Sequence, residues 1–388
     1  MIRVLLMEGH TIEALPVLES LKKEGYYLIV LCDTKASYGY RSKYSDKKII
    51  KPDISYSAKE FLQYFINLCK SDSIDIVIPL YDPSAEFLSK NKEKLSELVK
   101  FTVPDYPIFA NGFEKNRLME ICKKNGFPHP KTSDISLDTL DQTIDYVGFP
   151  SLIKPNITSG GRGMSLVNSK DELINKFEII FKDYGNCTLQ EYIPFGGKQF
   201  KVQLFRNNIG KIIGSTVIEK IRFYPEKGGS SSCNVTIESP ELISLTSNVL
   251  EILNWEGFAD FDLIEDPRDK IIKIMEINPR FPACVKSSFT SGVDFAEMYV
   301  DFCLNKNIKL YSYKPGKYLR YFGLEILWFV KSEKRFNTNP SWFKFFGKNI
   351  YYQDGSLSDP LPFIIGTFGN LKKLLNPKFR KSKAGLRN

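Results

Sequence analysis

The sequence predicts an α/β N-terminal region built on a doubly wound parallel sheet, continued by α+β material. Two observations carry this. Short, continuously apolar runs, IRVLLM at 2–7, YYLIVLC at 26–32 and IDIVIP at 74–79, alternate with helical stretches at 11–24 and 83–99, the pattern of parallel strands covered on both faces. Beyond Pro104 and Pro107 the strands shorten, and two of them, at 257–264 and 270–277, are joined by the turn EDPRDK. No self-similarity with a period of roughly 20–50 residues is visible, which argues against a solenoid.

Taken in order, the strand at 2–7 is followed by the turn MEGHTIEA, whose single glycine makes no dinucleotide fingerprint. After the N-terminal region, FEKNRLMEICKKNGF reads as a helix stopped by Gly126, with prolines beyond it. Strands are expected at 150–154, 164–168, 187–192, 199–206 and 210–219, and helices at 170–183 and 240–253.

Composition narrows the function classes. With 388 residues, 43% apolar and 13% aromatic, the chain can bury sizeable cores in two or three domains. The surplus of nine positive charges is uneven: LKKLLNPKFRKSKAGLRN, at 371–388, holds seven basic residues and no acid. The remainder is nearly balanced, which speaks against a nucleic-acid-binding body. That tail reads as a solvated terminus or as a weak contact with an anionic membrane surface, since Phe363, Ile364, Ile365 and Phe368 precede it. No apolar run has the length of a secretion signal or a membrane span, so a cytoplasmic chain is expected. Seven scattered cysteines form no C-x-x-C pair, and His10 and His129 make no triad.

The chemistry concentrates in two places. SLIKPNITSGGRGMSLV, at 151–167, follows Lys154 with a glycine-rich loop of Ser159, Gly160, Gly161, Arg162, Gly163 and Met164. Backbone amides without Cβ atoms can converge on phosphate oxygens, and the lysine ammonium can lie beside them as a point charge. Taken alone, the loop fits the tip of a β-hairpin equally well. In GFADFDLIEDPRDKIIKIMEINPRF, at 257–281, Asp262 lies on one strand while Glu276 and Asn278 lie two apart on the next, and so on one face. Carboxylates plus an amide oxygen, without histidine or cysteine, suit Mg²⁺ that completes its shell with substrate phosphates. Arg280 stands within reach of such a phosphate. The competing reading is a solvent-facing hairpin, which fits Glu276 poorly amid IIKIMEI.

The order of Lys115, Lys154, SGGRGMSLV, LQEYIPFGG, FADFDLI and IMEINPRF resembles the ATP-grasp superfamily, in particular its carboxylate–amine ligases, over about residues 1–305. The resemblance implies an ATP-grasp fold behind an N-terminal doubly wound domain. It implies ATP held by Lys115 and Lys154, with the loop from Ser159 to Met164 closing over the phosphates. It further implies a hinge at Gln190, Glu191, Tyr192 and Ile193, with Glu191 accepting from the adenine amino group. Asp262, Glu276 and Asn278 match the magnesium ligands, Mn²⁺ being an acceptable substitute, and Arg280 matches the arginine beside the transferred phosphate. Where relatives often place an acid for the ribose, this chain has Lys198 and Gln199, and Gln199 can still bond a hydroxyl.

The implied activity is phosphorylation of a carboxylate to an acyl phosphate, then attack by an amine. A small-molecule kinase or a regulatory nucleotide-binding protein are the alternatives. KIRFYPEKGGSSSCNV, at 220–235, resembles the segment bordering the acceptor in relatives, with Arg222 as a carboxylate clamp; a mobile surface loop is the equal alternative. The expected organisation is 1–107, an N-terminal α/β domain; 108–305, the ATP-grasp region, with a lid at about 130–195 and a metal-binding core at about 196–305; and 306–388, an aromatic-rich extension with the basic tail. The expected partners are small carboxylates and amines, a homodimer mate, and a lipid-linked acceptor or membrane surface met by the tail, in a cell-wall or surface-polysaccharide pathway.

Overall fold

The computed structural model describes residues 1–156, 163–226, 229–309, 311–356 and 358–365. The chain forms two compact units: Met1–Phe109, Lys201–Asp260 and 278–365 make the first, and Ala110–Phe200 with Phe261–Ile277 the second.

In the first unit β1 (Arg3–Leu6), β2 (Tyr27–Cys32), β3 (Lys47–Ile50) and β4 (Ile76–Ile78) form a parallel sheet in the order β3-β2-β1-β4. Alternate side chains enter two cores, Val4, Leu6, Leu28 and Val30 on one face, Leu5 and Ile29 on the other beside Phe61 and Phe65 of a covering helix, so the strands read as unbroken apolar runs. β3 escapes the sequence pattern because KKII is an edge strand whose lysines face solvent. The helix Lys59–Ser71, also unforeseen, buries Phe61, Phe65, Leu68 and Cys69 along one stripe. The helix expected over 83–99 is broken into Asp82–Lys90 and Lys92–Leu95. At the break Asn91 caps the first of these, its backbone N–H and its side-chain amide both donating to Phe87 O, at 3.2 and 2.8 Å.

The second unit carries β5 (Thr132–Asp134), β6 (Ser151–Pro155), β7 (Ser165–Val167) and β8 (Cys187–Glu191), in the order β5-β8-β6-β7. Leu140, Val147, Ile153, Val167, Leu173, Phe177 and Leu189 fill the space between this sheet and its helices. The helix Lys170–Tyr184 starts where the Ser169 hydroxyl accepts from Glu172 N, while the Glu172 carboxylate accepts from Asn168 N, a near relative of the capping box.

The remaining strands are β9 (Gln199–Arg206), β10 (Ile212–Tyr224), β11 (Ser230–Ile237), β12 (Gly257–Glu265), β13 (Ile272–Asn278), β14 (Tyr318–Arg320) and β15 (Ile350–Tyr352). They form one sheet in the order β13-β12-β9-β10-β11-β14-β15, and the boundary between the units runs along the chain of β9, β12 and β13. Within the first unit, Phe205, Ile213, Phe258, Phe281, Phe295 and Tyr299 share a core with Val4 and Leu28. There the Tyr299 hydroxyl donates to Val77 O at 3.1 Å and accepts from Thr102 N at 3.0 Å.

β11 lies where the sequence left a choice between a loop and an acceptor segment. SSSCNVTI has few large apolar residues, yet Ser232, Asn234 and Thr236 are buried and each is hydrogen-bonded inside the first unit, to Glu325, Ser287 and Lys314 respectively. Polar satisfaction replaces hydrophobic patterning in this strand. β14 pairs with β11 and β15 with β14, so residues from the aromatic-rich C-terminal region extend the sheet.

Candidate functional site

Strand alternation on β6 sends Ile153 into the core of the second unit and Lys154 to the opposite face. Lys154 is only 7% exposed. Its ammonium donates to the Gln190 side-chain oxygen, and the Gln190 amide donates to the Thr132 hydroxyl at 2.9 Å. Burial lowers the Lys154 pKa to about 8; Glu276 pulls it back up and Lys115 pushes it further down. Three groups singled out in the sequence, 39 and 122 residues apart along the chain, thus share one electrostatic neighbourhood. Lys115 opens the helix Lys115–Lys124, where the macrodipole disfavours a cation, so helix stability does not explain its placement.

Of the glycine loop, Ser159, Gly160, Gly161 and Arg162 lie outside the described residues. Gly163 and Met164 leave it half-buried. Gly163 has φ +70°, and a Cβ there would come within 2.9 Å of the Pro155 ring and of Tyr184. Both the dihedral and the close approach require glycine.

At the expected hinge, Glu191 stands in an ion-pair network. Its carboxylate accepts from Lys131 N at 3.2 Å and pairs with Arg268 and with Lys273 at 3.5 Å. The Arg268 guanidinium, with Lys273, also holds the Asp266 carboxyl well below the usual carboxylate range, against the effect of its burial. Glu191 is therefore the acidic partner of a network with Arg268 and Lys273, which between them engage both of its oxygens. Gln190 points to the buried side with Lys154. Tyr192 N donates to Pro150 O at 3.2 Å, Ile193 is buried, and Gln199 opens β9 half-buried.

β12 and β13 carry the candidate metal ligands. Asp260 and Asp262 are two apart on β12, Glu276 and Asn278 two apart on β13, and the Asn278 amide donates to the Asp260 carboxylate at 3.2 Å. Period-two geometry puts Asp260 and Asp262 on one face of β12, and Glu276 and Asn278 on one face of β13. Asp262 and Glu276 are half-buried. Among the described residues no three His, Cys, Asp or Glu side chains gather as a metal cluster. Two carboxylates and an amide oxygen are instead the donor set of a hard ion that takes the rest of its shell from phosphate and water, and the residues fit Mg²⁺ in that sense.

Arg280 donates to Asp82 at 2.9 Å and to the Asn278 side-chain oxygen at 3.3 Å. Burial works against its charge, but Asp82, Glu13 and Asp260 outweigh it and hold the guanidinium above its ordinary value. Sequence reasoning missed two residues here. Asp260, wholly buried, accepts from Lys201 at 2.6 Å, and Asp82 meets Arg280 across 198 positions. The i, i+2 spacing of the FADFD acids was the signal for Asp260; Asp82 carries none.

Arg222 is a correction. It is 2% exposed. Its fork binds the Glu325 carboxylate bidentately, at 2.9 and 2.6 Å, and its third nitrogen donates to Pro340 O at 2.8 Å. A buried guanidinium whose fork is already paired with an internal carboxylate is not placed to clamp a substrate's. Ser231 donates to Cys233 O, and Ser232 to Glu325.

Two further acids at the end of β1 are strained electrostatically. Burial pushes Glu8 and Glu13 up to about 7, against the Ser84 hydroxyl at 2.5 Å for Glu8 and against Arg280 for Glu13. A carboxyl raised above its unfolded value of 4.5 supports the fold fully below pH 4.5 and loses that support as the pH rises through 7. Glu8→Gln, which keeps an acceptor for Ser84, is therefore expected to gain about 2 kcal/mol over wild type at pH 8 and little at pH 5. Thermal unfolding at both values checks this, and an equal gain at both would contradict it.

With this geometry in place, comparison with known proteins is informative. In solved structures the same fold is found in the biotin carboxylase domain of Hydrogenobacter thermophilus 2-oxoglutarate carboxylase, in complex with MgADP, ADP and bicarbonate. The TM-score is 0.68 at 17% identity, covering 81% of this chain and 73% of that one. N5-carboxyaminoimidazole synthetase from Staphylococcus aureus, complexed with ADP, gives 0.64 at 15% identity, covering 81% and 80%. These define the class: an ATP-grasp fold. The model of the carbamoyl-phosphate synthase L chain, ATP binding domain, matches residues 114–310, half of the chain, and the protein belongs to that family.

Two curated relatives are more distant in length. The C-terminal section of the carbamoyl phosphate synthase large chain from Methanopyrus kandleri is 20% identical over 282 residues, 67% of this chain and 48% of that protein. D-aspartate ligase from Enterococcus faecium is 24% identical over 247 residues, 57% and 58%. The chain spans about half the length of the curated relatives it matches.

Proposed function

We infer that the protein is an ATP-dependent ligase that transfers the γ-phosphoryl of ATP to a carboxylate and joins the resulting acyl phosphate to an amine, releasing ADP and phosphate. The observation that carries this is the buried Lys154 in one field with Lys115 and Glu276. Two cations beside a carboxylate on a candidate metal face are what a polyphosphate and its metal ion need. Bound Mg²⁺, or Mn²⁺ in its place, would neutralise phosphate charge from Asp262, Glu276 and Asn278. Lys154 and Lys115 would neutralise the phosphates, with the Gln190 contact fixing where the Lys154 ammonium points. Arg280, held charged by Asp82 and Glu13, would stabilise charge on the phosphoryl in transfer.

The amine is inferred to be an amino acid, as the D-aspartate ligase relative suggests, within cell-wall or surface-polysaccharide synthesis. A homodimer belongs to the same proposal, as does a cytoplasmic location with the basic tail at a membrane surface. No helix among the described residues is long and apolar enough to cross a membrane.

The test is ADP release across paired carboxylates and amines, with the product identified by mass. Glu276→Gln is expected to lower it by about 10²–10³ with circular dichroism unchanged; wild-type turnover in this variant would remove the metal-face assignment. A phosphorylated acid that accumulates identically with and without amine would identify a kinase instead.

A further inference from the structure

We propose that residues 326–348 form a docking ledge for an anionic lipid bilayer. Five large apolar side chains stand exposed within this short stretch: Ile326, Val330, Phe336, Phe343 and Phe346, the last at 89%. Isolated apolar residues on a surface are ordinary; a cluster of this size marks a binding face.

The cluster is built rather than frayed. Phe329 lies at the centre, its ring 4.1 Å from Trp342 and 5.6 Å from both Phe336 and Phe343. The backbone beneath is pinned from inside the first unit. Arg320 donates to Trp342 O at 2.8 Å and Lys344 O at 2.7 Å, Arg222 donates to Pro340 O at 2.8 Å, and the Trp342 indole donates to Glu325 O at 3.0 Å. The aromatic tips are therefore held outward by buried ion pairs.

Charge chooses the occupant. The same stretch holds Lys331, Lys334, Arg335, Lys344 and Lys348 against the single acid Glu333. Phe346 lies between Lys344 and Lys348, and both lysines are exposed. Aromatic rings ringed by ammonium groups suit the headgroup region of an anionic bilayer, where the rings enter the acyl boundary and the cations meet phosphates. A second copy of this chain fits less well, because a two-fold contact sets the positive rim against itself.

The proposal does not depend on the ligase reading. A protein that released no ADP, yet needed these phenylalanines to bind vesicles, would end that reading and leave this one standing. The experiment is co-sedimentation of the full chain with vesicles of phosphatidylglycerol and phosphatidylcholine in equal parts, and of phosphatidylcholine alone. Wild type is expected to bind the anionic vesicles about tenfold more tightly than the neutral ones. The triple variant Phe336→Ser, Phe343→Ser, Phe346→Ser is expected to lose about tenfold while keeping the wild-type circular dichroism and ADP release.

A full-length variant with Lys372, Lys373, Lys378 and Arg380 changed to Gln separates the basic tail from the ledge. Equal binding by wild type and the triple-serine variant, with loss only in the tail variant, would overturn the proposal. So would no binding by wild type. Light scattering that shows an oligomer dissolved by the three serines, with no vesicle binding, would reassign the surface to a protein contact and overturn it too.

Discussion

Lys154→Met is expected to cut ADP formation by about a thousandfold and, in the same protein without nucleotide, to make the fold more stable. The two effects have one origin. Burial lowers the ammonium pKa from 10.5 to about 8, so the fold gives up roughly 3 kcal/mol to keep this group charged at neutral pH. Methionine has a similar reach and carries no charge; it removes that cost, less about 1 kcal/mol for the Gln190 oxygen left without its donor. A net gain of about 2 kcal/mol is therefore expected at pH 7. Below pH 8 both folded and unfolded states are protonated and the cost is complete; between pH 8 and 10.5 the folded state sheds the proton and the cost shrinks; above 10.5 it is gone. Urea denaturation of the two proteins at pH 7 and pH 10 measures this directly. A methionine variant that is less stable at pH 7, or fully active, would show that the buried ammonium serves the fold.

Glu325→Ala should cost about 3–5 kcal/mol of stability, because it leaves two guanidinium groups buried without a counter-charge. Both arginines, Arg222 and Arg320, and the carboxylate itself are at most 2% exposed, and Glu325 also accepts from the Ser232 hydroxyl at 2.9 Å. Chemical denaturation gives the loss. Replacing all three charges at once, Glu325→Leu with Arg222→Met and Arg320→Met, is expected to recover a large part of it, since a buried ion pair and a well-packed apolar substitute are often close in energy. If the alanine variant unfolds within about 1 kcal/mol of wild type, the cluster is not what fastens residues 338–345 to β10, β11 and β14.

The parallel strands β1, β2 and β4 were legible because burial on both faces writes an uninterrupted apolar run. β3 and β11 were not: one is an edge strand with lysines outward, the other buries serine, asparagine and threonine that find partners up to 93 positions away. The same contrast holds at the site. Lys154, Lys115, Glu276 and Arg280 could be singled out as candidates because local motifs frame them. Asp82 could not, because its relevance exists only through its contact with Arg280, 198 positions away, and a single sequence does not display that. Arg222 was misread for the converse reason: a motif neighbourhood suggested a substrate clamp, and the carboxylate that occupies it lies 103 positions downstream.

That buried arginine alters how family comparisons should be interpreted. Were the guanidinium to recur throughout related proteins, its persistence would record architecture, since changing it dismantles the joint between the hairpin and the C-terminal strands. The determinants of acceptor choice must then be sought at positions whose replacement leaves that joint intact.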